Sequence, residues 1–522
     1  MSTTPAGCTF PEDKPEATYS RLVPGTFAPF DEAKLKELAL RMRDSDAKRK
    51  ARGRPKRTPV MKSGYVYFGQ FVDHDLTCEK TLVADAQPDV AAMRNYRTPR
   101  FDLDSLYGKD PAAVPFLYNA DGCFRLGTTI AADGAIPGAS ESDLYRDAAG
   151  DPCIVDPRND ENLIVAQMHV LFAKLHNAVL RLLERRPELA PDDHERDLFS
   201  QAKRLVTWLY QWIIVEEFLP SFVRRSVLDE VWRGNLRLFE RKFTPADGPV
   251  ALPIEFTTAA YRFGHSMVQE SYGLSDHASV DTGMLIFLTK KGGGIGAAPR
   301  AVPNLAAKFV VDWDFYFSDT EPRMNRGQNI DTFITEALYE LPPQTVALFR
   351  GDADHMTGAA TRPHLSLPEL TLLRGSRVGL PSGEEFARHF GYPVINARDI
   401  PALEEDRTLF SDPAFRGRTP LWYYLLREAA LEPEYGAAVN DRTRVQKLGG
   451  IGSQIVAEVF YQTLASDADS ILNAGKHWRP PEFVFGASAV RRSLGSMTAL
   501  VEFVRADERV ALPERVAAEH VV

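Results

Sequence analysis

Apolar positions along this chain recur mostly at helical spacing rather than in alternation. From Glu161 onward, Ile164, Met168, Leu171, Phe172, Leu175, Val179 and Leu182 fall on one helical stripe. Leu198, Ala202, Leu205, Leu209, Trp212 and Ile213 repeat the pattern, and Pro220 is expected to end it. Both runs predict buried helices of a bundle. Two-residue alternation bounded by turn dipeptides is scarce, so strands are expected to be few, short and peripheral. The region before about residue 60 is basic and punctuated by proline, and reads as an arm wrapping the main body. The pattern predicts a mainly α protein: a partly irregular arm over 1–60, one large helical domain over 61–505, and a C-terminal tail over 506–522.

The stretch Tyr67-Phe68-Gly69-Gln70-Phe71-Val72-Asp73-His74-Asp75 adds chemistry to that pattern. A helix here sets Gln70, Asp73 and His74 side by side at i, i+3 and i+4, on a face that the aromatics mark as buried. An amide, a carboxylate and an imidazole in such a place cost free energy unless they bond to something. Two readings stand: a cofactor whose polar groups answer all three, or a core histidine satisfied by its neighbours. Asp75 points elsewhere.

At 522 residues and 44% hydrophobic content the chain can bury a large core, either as several domains or as one unusually large one. A net charge of −9 argues against a general nucleic-acid binder. The local basic run at 48–57 holds an Arg-Gly-Arg-Pro that suits a narrow minor groove, but reads more simply as a solvated arm. The first residues lack a basic stretch followed by an apolar one, and no run of about 20 apolar residues appears. The expectation is a chain without a transmembrane segment, in the cytoplasm or exported by a signal-independent route. Four cysteines are too few for a disulfide scaffold and fit a reducing compartment. The glycine-rich segment at 290–296 lacks a Gly-Lys-Ser/Thr ending and reads as a surface connection.

Three further constellations follow. Oxygen side chains at Thr98, Asp102 and Asp104 alternate around the backbone carbonyl of Arg100, which suits a hard cation such as Ca²⁺ with its roughly 6–8 oxygen ligands. The segment is not an EF-hand loop, since the glycine and terminal glutamate are missing. Asp75 is placed to complete the shell and to tie this loop to the helix carrying His74. Next, Asp156-Pro157-Arg158-Asn159-Asp160-Glu161 offers a cation followed by a carboxylate; its plain reading is a helix start with acidic residues in the first turn. Last, Tyr261-Arg262-Phe263-Gly264-His265 sets a histidine beside a glycine, whose missing side chain lets a flat object approach closely.

In this order, the four segments resemble the animal-type haem peroxidases of the peroxidase–cyclooxygenase superfamily, over about residues 61 to 480. The resemblance implies one large helical domain around a buried haem b. His265 is then the proximal iron ligand, as a neutral imidazole is in peroxidases. His74 becomes the general base and acid for hydrogen peroxide, Arg158 the group that stabilises charge on the departing oxygen, and Gln70 the residue that orients water or an anionic donor. Asp73 and Glu161 match carboxylates that can esterify the haem. Asn162 stands where some members carry a methionine with a third link, so that link is expected to be absent. Arg262 and Arg374 match propionate partners. Asp75, Thr98, Arg100, Asp102 and Asp104 match the calcium site.

One position departs from the family. Where its members carry an asparagine that accepts a hydrogen bond from the proximal histidine, this chain has Thr371, which changes how the iron is tuned. The implied activity is a peroxidase that uses hydrogen peroxide and a small donor such as a halide, thiocyanate, a phenol or an organic reductant. Its rival is a fatty-acid dioxygenase of the same superfamily, which needs a tyrosine three residues before the proximal histidine. Arg262 occupies that position, and Tyr261 is one residue further away. A non-catalytic calcium- or nucleic-acid-binding protein accounts for the loop or the basic arm, but not for His74, Arg158 and His265 together.

Overall fold

Helices dominate, as the spacing predicts. Among the described residues, those of ten residues or more are α1 (Glu32–Met42), α2 (Gly64–Leu76), α3 (Leu163–Arg185), α4 (Leu198–Ile213), α5 (Leu367–Arg377), α6 (Leu421–Ala430), α7 (Gly450–Ser466) and α8 (Met497–Glu519). The computed structural model describes residues 14–44, 61–80, 89–130, 140–147, 150–191, 197–287, 305–322, 324–341, 366–400, 405–431, 446–474, 477–485 and 490–519. The basic run at 48–57 and the glycine-rich segment at 290–296 lie outside them. Strands among the described residues form five separate two-stranded pairs and build no larger sheet.

The core is aromatic where α2, α3 and α4 meet. Phe71 of α2 stacks on Phe172 of α3 at 5.1 Å, and Phe68 meets the Tyr210 ring of α4 edge-on at 5.8 Å. Such pairs add about 0.5–1.5 kcal/mol each beyond the area they bury, and here they fix the helix that carries the polar face. α3 begins at an Asn162 cap, whose side chain accepts the Ile164 N–H at 2.9 Å. It is long and apolar enough to cross a membrane by length and composition, although no such run was expected. Almost all of it is buried inside the protein.

Pro220 does not stop the second helix where expected. α4 passes into a π-helical segment, Ile214–Phe218, and then a last turn, Leu219–Phe222, that contains the proline. Widening the turn accommodates a ring with no N–H to give, so the backbone stays helical around it. At the other end of the chain, α8 spans the expected boundary between residues 505 and 506, and Arg181 of α3 pairs with its Asp507.

The arm is stitched to distant parts of the body. Ala17–Thr18 pairs antiparallel with Arg94–Asn95. The buried Glu255 carboxylate accepts the N–H groups of Leu22 and Val23 at 3.0 and 3.1 Å, and Arg21 donates to the carbonyls of Val378 and Gly379 at 2.6 and 2.7 Å. Residues that precede the helical domain thus reach the segment just after α5. Cys153 is disulfide-bonded, which the low cysteine count does not anticipate, whereas Cys78 and Cys123 are free.

Candidate active site

α2 presents Gln70, Asp73 and His74 on one face, as helical spacing requires, and all but Gln70 are buried. His74 Nδ1 lies 2.8 Å from Asn159 Oδ1. An amide oxygen only accepts, so the ring proton sits on Nδ1 and Nε2 carries the lone pair. Burial first, and the Arg158 charge second, lower the His74 pKa to about 4, leaving the imidazole neutral near pH 7.

Arg158 belongs to a short 3₁₀ turn, Pro157–Asp160, capped by the side chain of Asp156. Its Nη2 donates to the backbone carbonyl of His74 at 2.9 Å, while Nε and Nη2 hold the Asp156 carboxylate at 3.0 and 2.7 Å. Arg97, almost fully buried, reaches the same carboxylate at 3.3 Å. Burial alone favours the neutral carboxyl, yet Arg158 and then Arg97 outweigh it and hold Asp156 well below the usual range. In the same turn Asp160 takes both ends of the Arg146 guanidinium at 2.8 and 2.9 Å. Glu161 follows, buried, just before the Asn162 cap of α3.

His265 lies in a second 3₁₀ segment, Ala260–Met267. Residues three apart nearly eclipse in that geometry, which puts Arg262 on the same edge as His265. Arg262 Nη1 sits 3.4 Å from Asp73 Oδ2, and its backbone carbonyl accepts from the Trp422 indole at 3.1 Å. The Tyr261 hydroxyl donates to the Gly69 carbonyl at 3.2 Å. These bonds join the two histidine-bearing segments. Thr371 of α5 stands beside His265, with Oγ1 3.4 Å from Nδ1. The same hydroxyl donates to the Leu367 carbonyl at 2.9 Å, so what it offers the ring is a lone pair. Arg374, one turn further along α5, pairs closely with Glu79.

The acidic loop closes on the opposite face of α2. One carboxylate oxygen from each of Asp75, Asp102 and Asp104 lies within 4.8 Å of the others. Asp75 accepts the Leu103 N–H at 3.1 Å, at a residue that takes a left-handed φ of 57° between the two loop aspartates. Thr98 donates its hydroxyl to Asp102 at 2.8 Å and its N–H to Asp104 at 3.0 Å. Arg100 lies in the same turn, and its N–H bonds to the Thr98 carbonyl at 2.8 Å. Burial, and after it the Asp102 charge, push the Asp75 carboxyl far up and that of Asp104 to about 7. Asp104 Oδ1 is buried without a hydrogen-bond partner, its nearest cation being Arg97 at 3.5 Å.

The family model for animal haem peroxidases matches residues 79–400. The chain belongs to this family. Chorion peroxidase of Drosophila melanogaster is 29% identical over 284 residues, covering 53% of this chain and 31% of that protein. Lactoperoxidase of Mesocricetus auratus is 25% identical over 193 residues, covering 35% and 26%. The chain spans less than a third of the length of such curated relatives. Among solved structures, peroxidase A of Dictyostelium discoideum matches with a TM-score of 0.55 at 16% identity, over 88% of this chain and 89% of that one. Fatty acid alpha-dioxygenase of Oryza sativa matches at 0.54 and 16%, over 93% and 79%. Both share the helical fold of animal haem peroxidases.

The family's cofactor is haem, and the residues here fit one. His265 is neutral, since burial and then Arg262 lower its pKa to about 3, and with Nδ1 facing Thr371 its Nε2 is the nitrogen left for a metal. A side chain at Gly264 would meet no other group within 4 Å apart from its chain neighbours, so the backbone one residue before His265 borders open space. Tyr19 of the arm buries a hydroxyl that has no hydrogen-bond partner, with Cys78, Arg158, Asp73 and Arg374 as its electrostatic surroundings. A buried, unpartnered hydroxyl with two guanidiniums among its electrostatic neighbours suits a ligand with carboxylates.

Several of these groups escape sequence reasoning. Tyr19, Arg97, Asn159 and His169 all touch or surround the predicted residues, yet none stands in a periodic or motif position of its own except Asn159, the immediate neighbour of Arg158. Replacing Asp156 by Ala leaves the fully buried Arg97 and the largely buried Arg158 without a carboxylate at that point. The expected loss is ~3–5 kcal/mol of unfolding free energy, measured by denaturant titration; a loss below about 1 kcal/mol, the level of a surface pair, contradicts this role.

Proposed function

We propose that this chain is a haem peroxidase, reducing hydrogen peroxide by heterolytic cleavage of its O–O bond and oxidising a small donor: a halide, thiocyanate, or a phenolic or organic reductant. The observation that carries the reading is the join between α2 and the turn at 157–160. There one short segment holds the His74 ring through Asn159 and the His74 carbonyl through Arg158, so a base and a fixed cation are mutually positioned.

Bound haem supplies the iron at which the O–O bond is broken and through which the donor's two electrons return. The protein's part is proton handling and charge. His74 Nε2, free of its proton, takes one from hydrogen peroxide and gives it to the oxygen that departs as water. Arg158 stabilises the negative charge on that departing oxygen, and its guanidinium needs no reorganisation because Asp156 already fixes it. Gln70 orients water or an anionic donor. His265 holds the iron of a haem b, Thr371 accepts its Nδ1–H, Arg262 and Arg374 pair with the propionates, and Asp73 and Glu161 are the carboxylates proposed for ester bonds to the ring.

The dioxygenase alternative needs a tyrosine poised one 3₁₀ turn before His265. Arg262 stands there, and the nearby Tyr261 hydroxyl is committed to the Gly69 carbonyl. A Ca²⁺ ion is proposed at Asp75, Asp102, Asp104, Thr98 and the Arg100 carbonyl. It neutralises a cluster of three carboxylates, two of which, Asp75 and Asp104, burial otherwise forces toward protonation, and pins the end of α2 that carries His74.

Two experiments test this reading. His74→Ala and Arg158→Ala, loaded with haem, are each expected to consume peroxide ~10²–10⁴-fold more slowly than wild type in stopped-flow mixing, with haem content nearly intact. Unchanged rates in both sink the assignment. Adding Ca²⁺ at about 100 times its Kd is expected to stabilise the wild type by about 2.7 kcal/mol, and Asp102→Ala to lose that response together with thermal stability and activity. Metal analysis without calcium, with an Asp102→Ala variant of normal stability, leaves the loop as an acidic turn.

A further inference from the structure

Asn159 bonds to more than His74. Its Nδ2 lies 3.2 Å from Nδ1 of His169, a second buried histidine on α3, so one fully buried amide joins two imidazoles. The two amide ends are not interchangeable. With Oδ1 toward His74, the amide accepts from Nδ1–H, and with Nδ2 toward His169 it donates to a bare Nδ1. Turned over, the amide would face His74 with N–H donors, forcing the His74 proton onto Nε2 and removing the lone pair the reaction needs.

We propose that Asn159 and His169 form a positioning relay that locks His74 in its Nδ1–H tautomer. The inference rests on the reading of His74 as the acid–base group and goes beyond it by naming what sets the proton's place. The argument has two steps. First, the observed orientation of Asn159 suits His74 both neutral and carrying a second proton, because Nδ1–H donates to Oδ1 in either state. The flipped amide suits only the neutral ring, so a catalytic group that gains and loses a proton each cycle needs the orientation seen.

Second, something must hold that orientation, since an amide's two ends are nearly the same size. His169 does so by accepting from Nδ2, which it can do only while neutral. Burial keeps it so, lowering its pKa to about 4 against the opposing pull of Asp156 and Asp160. The charged groups around His74 are accounted for: Arg158 and Asp156 pair with each other, Asp73 on its own helix faces Arg262, and Asp75 turns to the acidic loop. None of them contacts Nδ1, so the amide alone decides the tautomer.

The test uses the full chain. In protein labelled with ¹⁵N-histidine and free of haem, ring proton–nitrogen correlations distinguish Nδ1–H from Nε2–H; the His74 signal is the one lost in His74→Ala. The wild type is expected in the Nδ1–H form, Asn159→Leu to lose it, and Asn159→Asp, which restores an acceptor at nearly the native side-chain volume, to recover it. His169→Phe is expected to give a mixture, since the amide is then free to turn. After haem loading, Asn159→Leu should consume peroxide about 10–100-fold more slowly, as loss of an orienting partner does. An Nε2–H wild type, or an Nδ1–H signal untouched by Asn159→Leu, overturns the relay. Should His74→Ala itself leave the rate unchanged, the acid–base reading fails; should it slow the reaction while Asn159→Leu does not, only the relay fails.

Discussion

A buried carboxylate must have a cation beside it, and the pair between the fully buried Asp156 and the largely buried Arg158 is the constraint on which this site turns. An isolated buried charge costs many kcal/mol, so neither residue persists there alone. Once paired, the two fix the turn at 157–160. That turn positions Asn159 against His74, Arg158 against the His74 carbonyl, and Asp160 against Arg146. Arg97 extends the network to Asp104 at 3.5 Å, so the same set of charges reaches the acidic loop on the far side of α2.

The two histidines are held differently, and the difference has chemical meaning. His74 has an amide oxygen at 2.8 Å, a short bond that keeps its proton on one nitrogen. His265 has a hydroxyl at 3.4 Å that already donates to a carbonyl one helical turn back. Such a long contact to a neutral group withdraws little of the Nδ1 proton and leaves the imidazole a weaker donor to a metal than a carboxylate partner does. Between them Asp73, Arg262, Tyr261 and Gly69 tie the segments together, which is why one helix face and one 3₁₀ turn behave as a single site.

What the sequence reveals follows from which interactions are periodic. Gln70, Asp73 and His74 were legible because a helix sets i, i+3 and i+4 together, and Asp75 was legible as the residue that such a helix turns away. Loop residues 98–104 were legible as evenly spaced oxygens. The place of Thr371 beside His265 came from family resemblance, since no local pattern links residues more than a hundred positions apart. Nothing periodic marked the 3₁₀ form of 260–267, the π-helical accommodation of Pro220, the Arg97–Asp156 pair or the reach of Tyr19 into the interior. Each depends on long-range packing that only the folded chain expresses. His169 lies on α3 but off its apolar stripe, so no pattern marked it.

The central claim is that His265 holds the haem iron while the opposite residues do the proton work. The most direct measurement is the absorption and resonance Raman spectrum of the haem-loaded protein, wild type against His265→Ala. The account predicts a histidine-ligated iron in the wild type, and loss of that signature in the variant with His74 and Arg158 still in place. A variant that binds haem fully and keeps the wild-type spectrum contradicts it.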